Sequence, residues 1–294
     1  MNHNLKAQLD FQYHIHNTKD SITHTNLDPL FVLYQYKNHP NIEYIALICA
    51  LFAYGNVRSI VKFLQSLDFG LLDSRERILR TSFPYYRFQT QDDVKALFLG
   101  LCELKSANAL ESIITHCAKD KSCKNTKNTK LSAPSMNAKN IENTKIIKII
   151  YACMEAIRQA SNHQSMGFDF LVGKPHTSSP LKRWNMFMRW MVRKDNVDLG
   201  IWNAYIKTSD LLLPLDTHTF RMCQNLGLLK RKSYDIKAVL EVSKNLRAFD
   251  RDDPIKYDFA LYRIGQKQNL ENLKPPKINI PKQPKKKLTK STQK

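Results

Sequence analysis

The chain has 294 residues, 43% of them hydrophobic, and a formal net charge of +20. That is enough apolar material for one large domain or two lobes, while only 8 glycines and scarce Val/Ile/Thr alternation argue against a sheet protein. The longest apolar stretch, Ile45 to Tyr54, is about half of what a bilayer span requires, and the opening MNHNLKAQLD lacks the apolar core of a secretory signal.

In chain order, Asp28-Pro29 opens a helical pattern that ends near His39-Pro40, and a nearly all-apolar helix over 42–54 is closed by Gly55-Asn56. Apolar residues at Ile60, Val61, Phe63, Leu64 and Leu67 predict a helix over 58–67. Two more are expected over 73–79 and 92–104, joined by the connector SFPYYRF, and another over 107–118. Helices over 146–160 and 180–193 follow. Asp216 starts the next one, which Gly227 stops, and the last two run over 236–247 and 254–264, the final one with an Asp-Pro start. The expected fold is all-α, with about ten helices. Residues 1–118 and 147–273 are expected to form one two-lobed domain. The low-complexity stretch 119–146 reads as a disordered lysine-rich insertion and 274–294 as a disordered basic tail.

Charge points to an anionic partner, most simply nucleic acid. Eight lysines against two acidic residues lie between Lys119 and Lys148, and eight against Glu271 alone in the segment Glu271 to Lys294. The rest of the chain is therefore only mildly basic, and the two arms are expected to add affinity without sequence preference. Six cysteines (Cys49, Cys102, Cys117, Cys123, Cys153, Cys223) are scattered with no C-x-x-C pair. They read as thiols of a cytosolic protein, with no metal site, iron–sulfur cluster or other cofactor expected.

Two segments carry chemistry. In LLLPLDTHTFRMCQNLGL (211–228), Asp216 stands at a helix start, where its oxygen accepts the free N–H groups of the first turn and the helix end favours its ionised form. It is either a plain cap or a catalytic carboxylate. In PLKRWNMFMRWMVR (180–193), helical spacing puts Lys182, Asn185, Arg189 and Arg193 on one stripe of an otherwise apolar helix. That stripe faces phosphates, surrounds an active site that holds Asp216 ionised, or pairs with Asp195, Asp198 or Asp250 between helices.

PLDTHTFRMCQNLGL resembles the segment of the helix-hairpin-helix DNA glycosylases, endonuclease III-like members above all, in which a V-D-T-H-x-x-R run places the catalytic aspartate at a helix start. IEYIALICALFAYGN followed by RSIVKFLQSL is similar in place to an early helix of that superfamily, and DFALYRIG to its last. KRWNMFMRWMVR, VDLGIW, PLDTH and DDPIKYDFALYRIG also identify the chain as similar to an uncharacterised bacterial family of conserved hypothetical proteins, the domain of unknown function 2400, over about residues 28–265. The glycosylase likeness implies a two-lobed fold of that superfamily and a base-excision enzyme that cleaves the N-glycosidic bond of a damaged, flipped base.

On that likeness Asp216 is the catalytic carboxylate. Lys182, 34 residues upstream, matches the wider spacing of the archaeal 8-oxoguanine glycosylases and becomes the Schiff-base nucleophile. Arg183, Asn185, Arg189, Arg193, His218 and Arg221 would contact DNA, and Trp184, Trp190, Trp202 and Tyr54 would wall the base pocket. Two departures stand out. The Gly-rich hairpin expected before the aspartate is missing, since Arg193 to Asp210 holds only Gly200, and so are the iron–sulfur cysteines. The expected partner is damaged duplex DNA and the expected state a monomer, cytoplasmic and nucleoid-associated. The competing class is a nucleic-acid-binding protein without catalysis on the same fold.

Overall fold

Short polar residues set the helix starts in the computed structural model, which describes residues 3–18, 22, 27–119 and 144–262. Helix α1 is His3–His16, α2 Pro29–Gln35, α3 Ile42–Leu51 and α4 Val57–Gln65. A 3-10 turn, Phe69–Asp73, leads to α5 Arg75–Arg80, α6 Gln91–Ser106 and α7 Ala109–Lys119. Then come α8 Lys145–Ser161, α9 Met166–Val172, α10 Lys182–Val192, α11 Thr217–Asn225 and α12 Ile236–Leu246. The described chain closes on a 3-10 turn, Pro254–Tyr257, that continues as an α-turn over 258–262. Among the described residues there is no strand, only two isolated bridges, so the fold is all-α.

The caps explain most of the boundaries. Asp28 accepts from the Leu30 N–H, Asn56 from Arg58, Ser74 from Arg77 and Asp235 from Ala238. Thr90 and Asp93 form a reciprocal capping box at α6. The Gly55-Asn56 pair works differently from its sequence reading. Helix α3 already ends at Phe52, Gly55 turns the chain at φ +100°, and Asn56 begins α4. Asp253 differs too: its side chain makes no cap hydrogen bond and is turned to Arg193 instead.

Packing follows the apolar faces. Helix α6 lies along α8, which also packs on α7, while α3 is covered by α2 and α10, and α2 also packs on α4. Trp190, Trp202, Phe98, Phe168 and Phe187 are fully buried among them. A buried carboxylate fixes the junction of α6, α8 and α9. Asp93 accepts from the Thr90 N–H at 2.8 Å, from His163 Nε2 at 2.8 Å and from the Ser165 hydroxyl. Burial opposes its ionisation, but these bonds outweigh it and hold the carboxyl below the ordinary carboxylate range.

Helices α1 and α9 are not anticipated from sequence. Helix α1 buries only a narrow stripe, Leu5 and Leu9, and leaves Phe11 and Ile15 exposed. Helix α9 is seven residues long and carries apolar groups on both faces, so no period shows. The expected insertion and basic tail lie outside the described residues, except that Lys119 ends α7 and Lys145 opens α8. Cys123 also lies outside them. Cys49, Cys102, Cys153 and Cys223 are buried free thiols and Cys117 is half-buried.

Candidate active site

The run Leu211, Leu212, Leu213 and Leu215 is fully buried, and the Leu213 N–H donates to the buried Ser243 hydroxyl at 2.9 Å. Pro214 sits within this run, so the chain reaches Asp216 along a fixed path. Asp216 then caps α11: its Oδ1 accepts from the Thr219 N–H at 2.7 Å, and the carboxylate is half-exposed. The cap predicted from PLDTH is present.

Lys182 is the first residue of α10, following Leu181 in a left-handed conformation, φ 54°. It is half-buried, and its Nζ lies 3.3 Å from Met186 Sδ. Among the described residues no carboxylate comes within ion-pair distance of it. Burial pushes the amine below the ordinary lysine value. The carboxylates of Asp216, Asp258 and Asp28 act against that shift, Asp216 most strongly, while Arg189 reinforces it. The start of a helix adds to the depression, since the positive end of its dipole disfavours an ammonium group. The field of Asp216 therefore reaches the Lys182 amine.

The same site holds residues that the sequence reading missed. Asp258 is buried and its carboxyl is raised by burial, with Arg189 and Lys182 pulling it down. Burial pushes the Cys223 thiol up, and Asp258 and Asp216 push it further. Tyr234, whose hydroxyl donates to the Leu215 carbonyl at 2.7 Å, is pushed up to about 12 by burial and then by Asp216. Asp258 lies in DFALYRIG, a segment read only as a closing helix. Nothing local in the sequence marks it as a partner of Lys182.

The cationic stripe of α10 divides. Arg189 and Arg193 are 6% and 4% exposed and are saturated by acids, which corrects their assignment to DNA contact. Arg189 pairs with Asp198 at 3.2 Å and with Asp258. Arg193 pairs with Asp195 at 2.9 Å, Asp198 at 2.6 Å and Asp253 at 2.9 Å. Burial pushes Asp198 up to about 6, against the pull of both guanidiniums. Of the partners considered from sequence, Asp195 and Asp198 take part, whereas Asp250 pairs with Lys256 at 2.6 Å. Taking several charges out of water is costly, and a buried cation with three carboxylates has no capacity left for phosphate.

Asn185 is also buried, its amide donating to the Pro180 carbonyl at 3.2 Å. His218 and Arg221 are exposed one turn apart on α11. Trp184, Trp190 and Trp202 are core residues rather than walls of an open pocket. The Trp184 indole N–H donates to the Val172 carbonyl at 2.8 Å and that of Trp202 to Glu43 at 2.7 Å. Tyr54 is different. It is half-buried, donates to Gln89, and stands among Phe88, Phe170 and two arginines. One of these is Arg183, which bonds the carbonyls of Leu51 and Phe170 and is lowered to about 10 by burial.

Between α10 and α11 no two-helix hairpin forms. A tight loop over 194–199 is closed by the bridge between Lys194 and Leu199. Gly200 follows at φ +67°, with its α-carbon so close to Lys194 that an added Cβ would meet the lysine Cβ at 2.4 Å. The model of a family described as protein of unknown function, DUF2400, matches residues 28–267. The chain belongs to this family. The DUF2400 span begins at the α2 cap and contains Lys182, Asp216 and Asp258, while α1 precedes it. No curated protein and no solved structure matches the chain. Among the described residues no group of three or more His, Cys, Asp or Glu is arranged to hold a metal ion, and no helix is long and apolar enough to cross a membrane.

Proposed function

We propose that the chain is a DNA base-excision enzyme that cleaves the N-glycosidic bond of a damaged nucleotide turned out of the duplex. Lys182 is the attacking amine and Asp216 its carboxylate partner. The observation that carries this reading is the half-buried Lys182 amine, held below its ordinary pKa, with Asp216 the foremost of its acidic neighbours but in ion-pair contact with none. Lysines on a protein surface are ammonium ions at neutral pH. One depressed by burial supplies the neutral nucleophile that Schiff-base chemistry requires. The likeness of PLDTHTFRMCQNLGL to the glycosylase aspartate segment supports the same pairing.

The Lys182 lone pair attacks C1′ while the C1′–N bond breaks, and the base leaves with the bonding pair and takes up a proton from solvent. The proton shed by the new secondary amine passes to Asp216. The nitrogen lone pair then expels O4′ from C1′, which opens the sugar as an iminium, and O4′ takes the proton from Asp216. Before that, positive charge on the sugar is stabilised by the carboxylate.

One observation favours a second reading. Oδ1 of Asp216 is engaged in capping α11, the role of a purely structural aspartate. On that reading the chain binds nucleic acid without cleaving it. Duplexes carrying uracil, 8-oxoguanine, alkylated bases or abasic sites separate the two. Release of one of these bases by the wild type, lost in Asp216→Asn, supports the enzyme. Binding that Asp216→Asn leaves unchanged, with no base released, supports the binder.

A further inference from the structure

Around Arg183 the protein exposes a cluster of aromatic rings interleaved with guanidinium groups. Phe88, Phe170 and Tyr54 form one unit: Phe88 and Phe170 meet edge to face at 5.2 Å, Tyr54 and Phe170 at 4.9 Å, and Tyr54 is parallel to Phe88 at 6.3 Å. Arg87 lies over the rings of Tyr54 and Phe88, and Arg183 over those of Tyr54 and Phe170, all between 5.0 and 5.7 Å. Phe88 is 56% exposed, Phe170 45%, the adjoining Tyr85 64%, and Met166, one turn from Phe170 on α9, 91%. Rings of this size are normally covered, so a contiguous exposed group marks a contact surface.

The backbone supports the same conclusion. Tyr86 and Gln89 exchange two main-chain hydrogen bonds, which makes Arg87 and Phe88 the tip of a tight turn. Arg87 occupies this tip at φ 52°, a conformation that glycine adopts at less cost. Its guanidinium packs over Gly55, where an added Cβ would come within 2.5 Å of Nη1. Sequence and backbone thus accept strain to present an arginine and a phenylalanine outward. Among the described residues no carboxylate pairs with Arg87 or Arg183. The patch is therefore cationic as well as aromatic, which disfavours an acid-poor apolar peptide as its occupant and suits an anionic chain with flat π-faces.

The geometry points to a stacking surface for unpaired bases of a DNA strand, with Phe88 as the platform, Phe170 packed edge to face against it and Arg87 as cation. Arg183 belongs to the patch and follows Lys182 in the chain, so the patch and the amine share the start of α10. The choice of DNA rests on the function proposed above. The stacking itself does not require the glycosidic chemistry.

The test is binding of the full chain to a fluorescein-labelled oligothymidylate and to an oligomer of equal length and charge built of abasic residues. The wild type is expected to prefer the thymidylate by about ten-fold, in line with the worth of one stacked base. Phe88→Ala is expected to abolish that preference, Phe88→Trp to retain it and Phe88→Leu, apolar without a π-face, to lose it, with melting temperatures unchanged at this exposed site. Equal affinity for the two oligomers, or a preference within two-fold of wild type in Phe88→Ala, overturns the proposal, as does a stronger preference for oligouridylate RNA. If the stacking preference holds while no duplex is processed, the stacking surface stands and the catalytic reading falls. If a duplex is processed while Phe88→Ala keeps its preference, the reverse is true.

Discussion

Lys182 and Asp216 stand at the starts of two different helices, and Asp216 is the foremost carboxylate acting on the lysine without forming an ion pair with it. An ion pair at contact would hold the amine as ammonium. A carboxylate that acts only through its field leaves the amine free to lose its proton. Burial and the α10 dipole depress the amine, and three acids partly restore it.

That balance gives the site a pH dependence with a definite sign. On the proposed reading the reactive form of Lys182 is neutral, so turnover is expected to rise with pH through the lysine pKa, with its inflection below the ordinary 10.5. Asp28 raises that pKa while its Oδ1 caps α2 at 2.9 Å from the Leu30 N–H. Asp28→Asn retains a capping oxygen and removes the charge. Its pH–rate profile is expected to keep its shape and move to lower pH. A shift to higher pH would contradict the placement of Asp28.

Asp216→Asn keeps the cap and removes the proposed proton acceptor. Base release is expected to fall by about 100- to 10,000-fold, with a thermal unfolding midpoint close to that of the wild type. Circular dichroism melts beside the rate measurement separate this from misfolding.

Two arginines distinguish structure from binding. Arg193→Met leaves the buried Asp198 with Arg189 as its one cation and strips the half-buried Asp195 and Asp253 of theirs, and urea unfolding is expected to show a loss of about 3 kcal/mol. Arg221 is exposed on the face of α11 that carries His218. Arg221→Ala is expected to leave stability unchanged and to lower the slope of log affinity against log salt by about one phosphate contact.

The Asp93 junction contributes to acid stability. Its folded pKa lies below the unfolded value, so its contribution is fully present above the ordinary carboxylate range and is lost as pH falls through the folded pKa. Asp93→Asn is expected to cost about 1–3 kcal/mol at neutral pH and to flatten the stability profile below about pH 4. Unfolding titrations at a series of pH values check both.

Local chemistry made much of this legible in the sequence. The Asp28-Pro29 start of α2, the apolar spacing of α4 and the Asp216 cap each rest on residues within one or two turns of each other. The destination of the α10 stripe did not, because its periodicity is the same whether a cation meets phosphate or a distant acid. Asp253 and Asp258 lie 60 and 69 residues from the arginines they bind. Helix α9 has caps at both ends, Ser165 and Gly173, but is too short for a period to emerge. The aromatic patch joins a connector to that unrecognised helix, so neither half revealed it alone.

The most direct measurement is borohydride trapping on a duplex with a single abasic site, the product common to every base excision, followed by peptide mapping of the adduct. The account requires a covalent DNA adduct on the peptide containing Lys182, lost in Lys182→Gln. No adduct on this duplex, or one that Lys182→Gln leaves in place on another lysine, would contradict it.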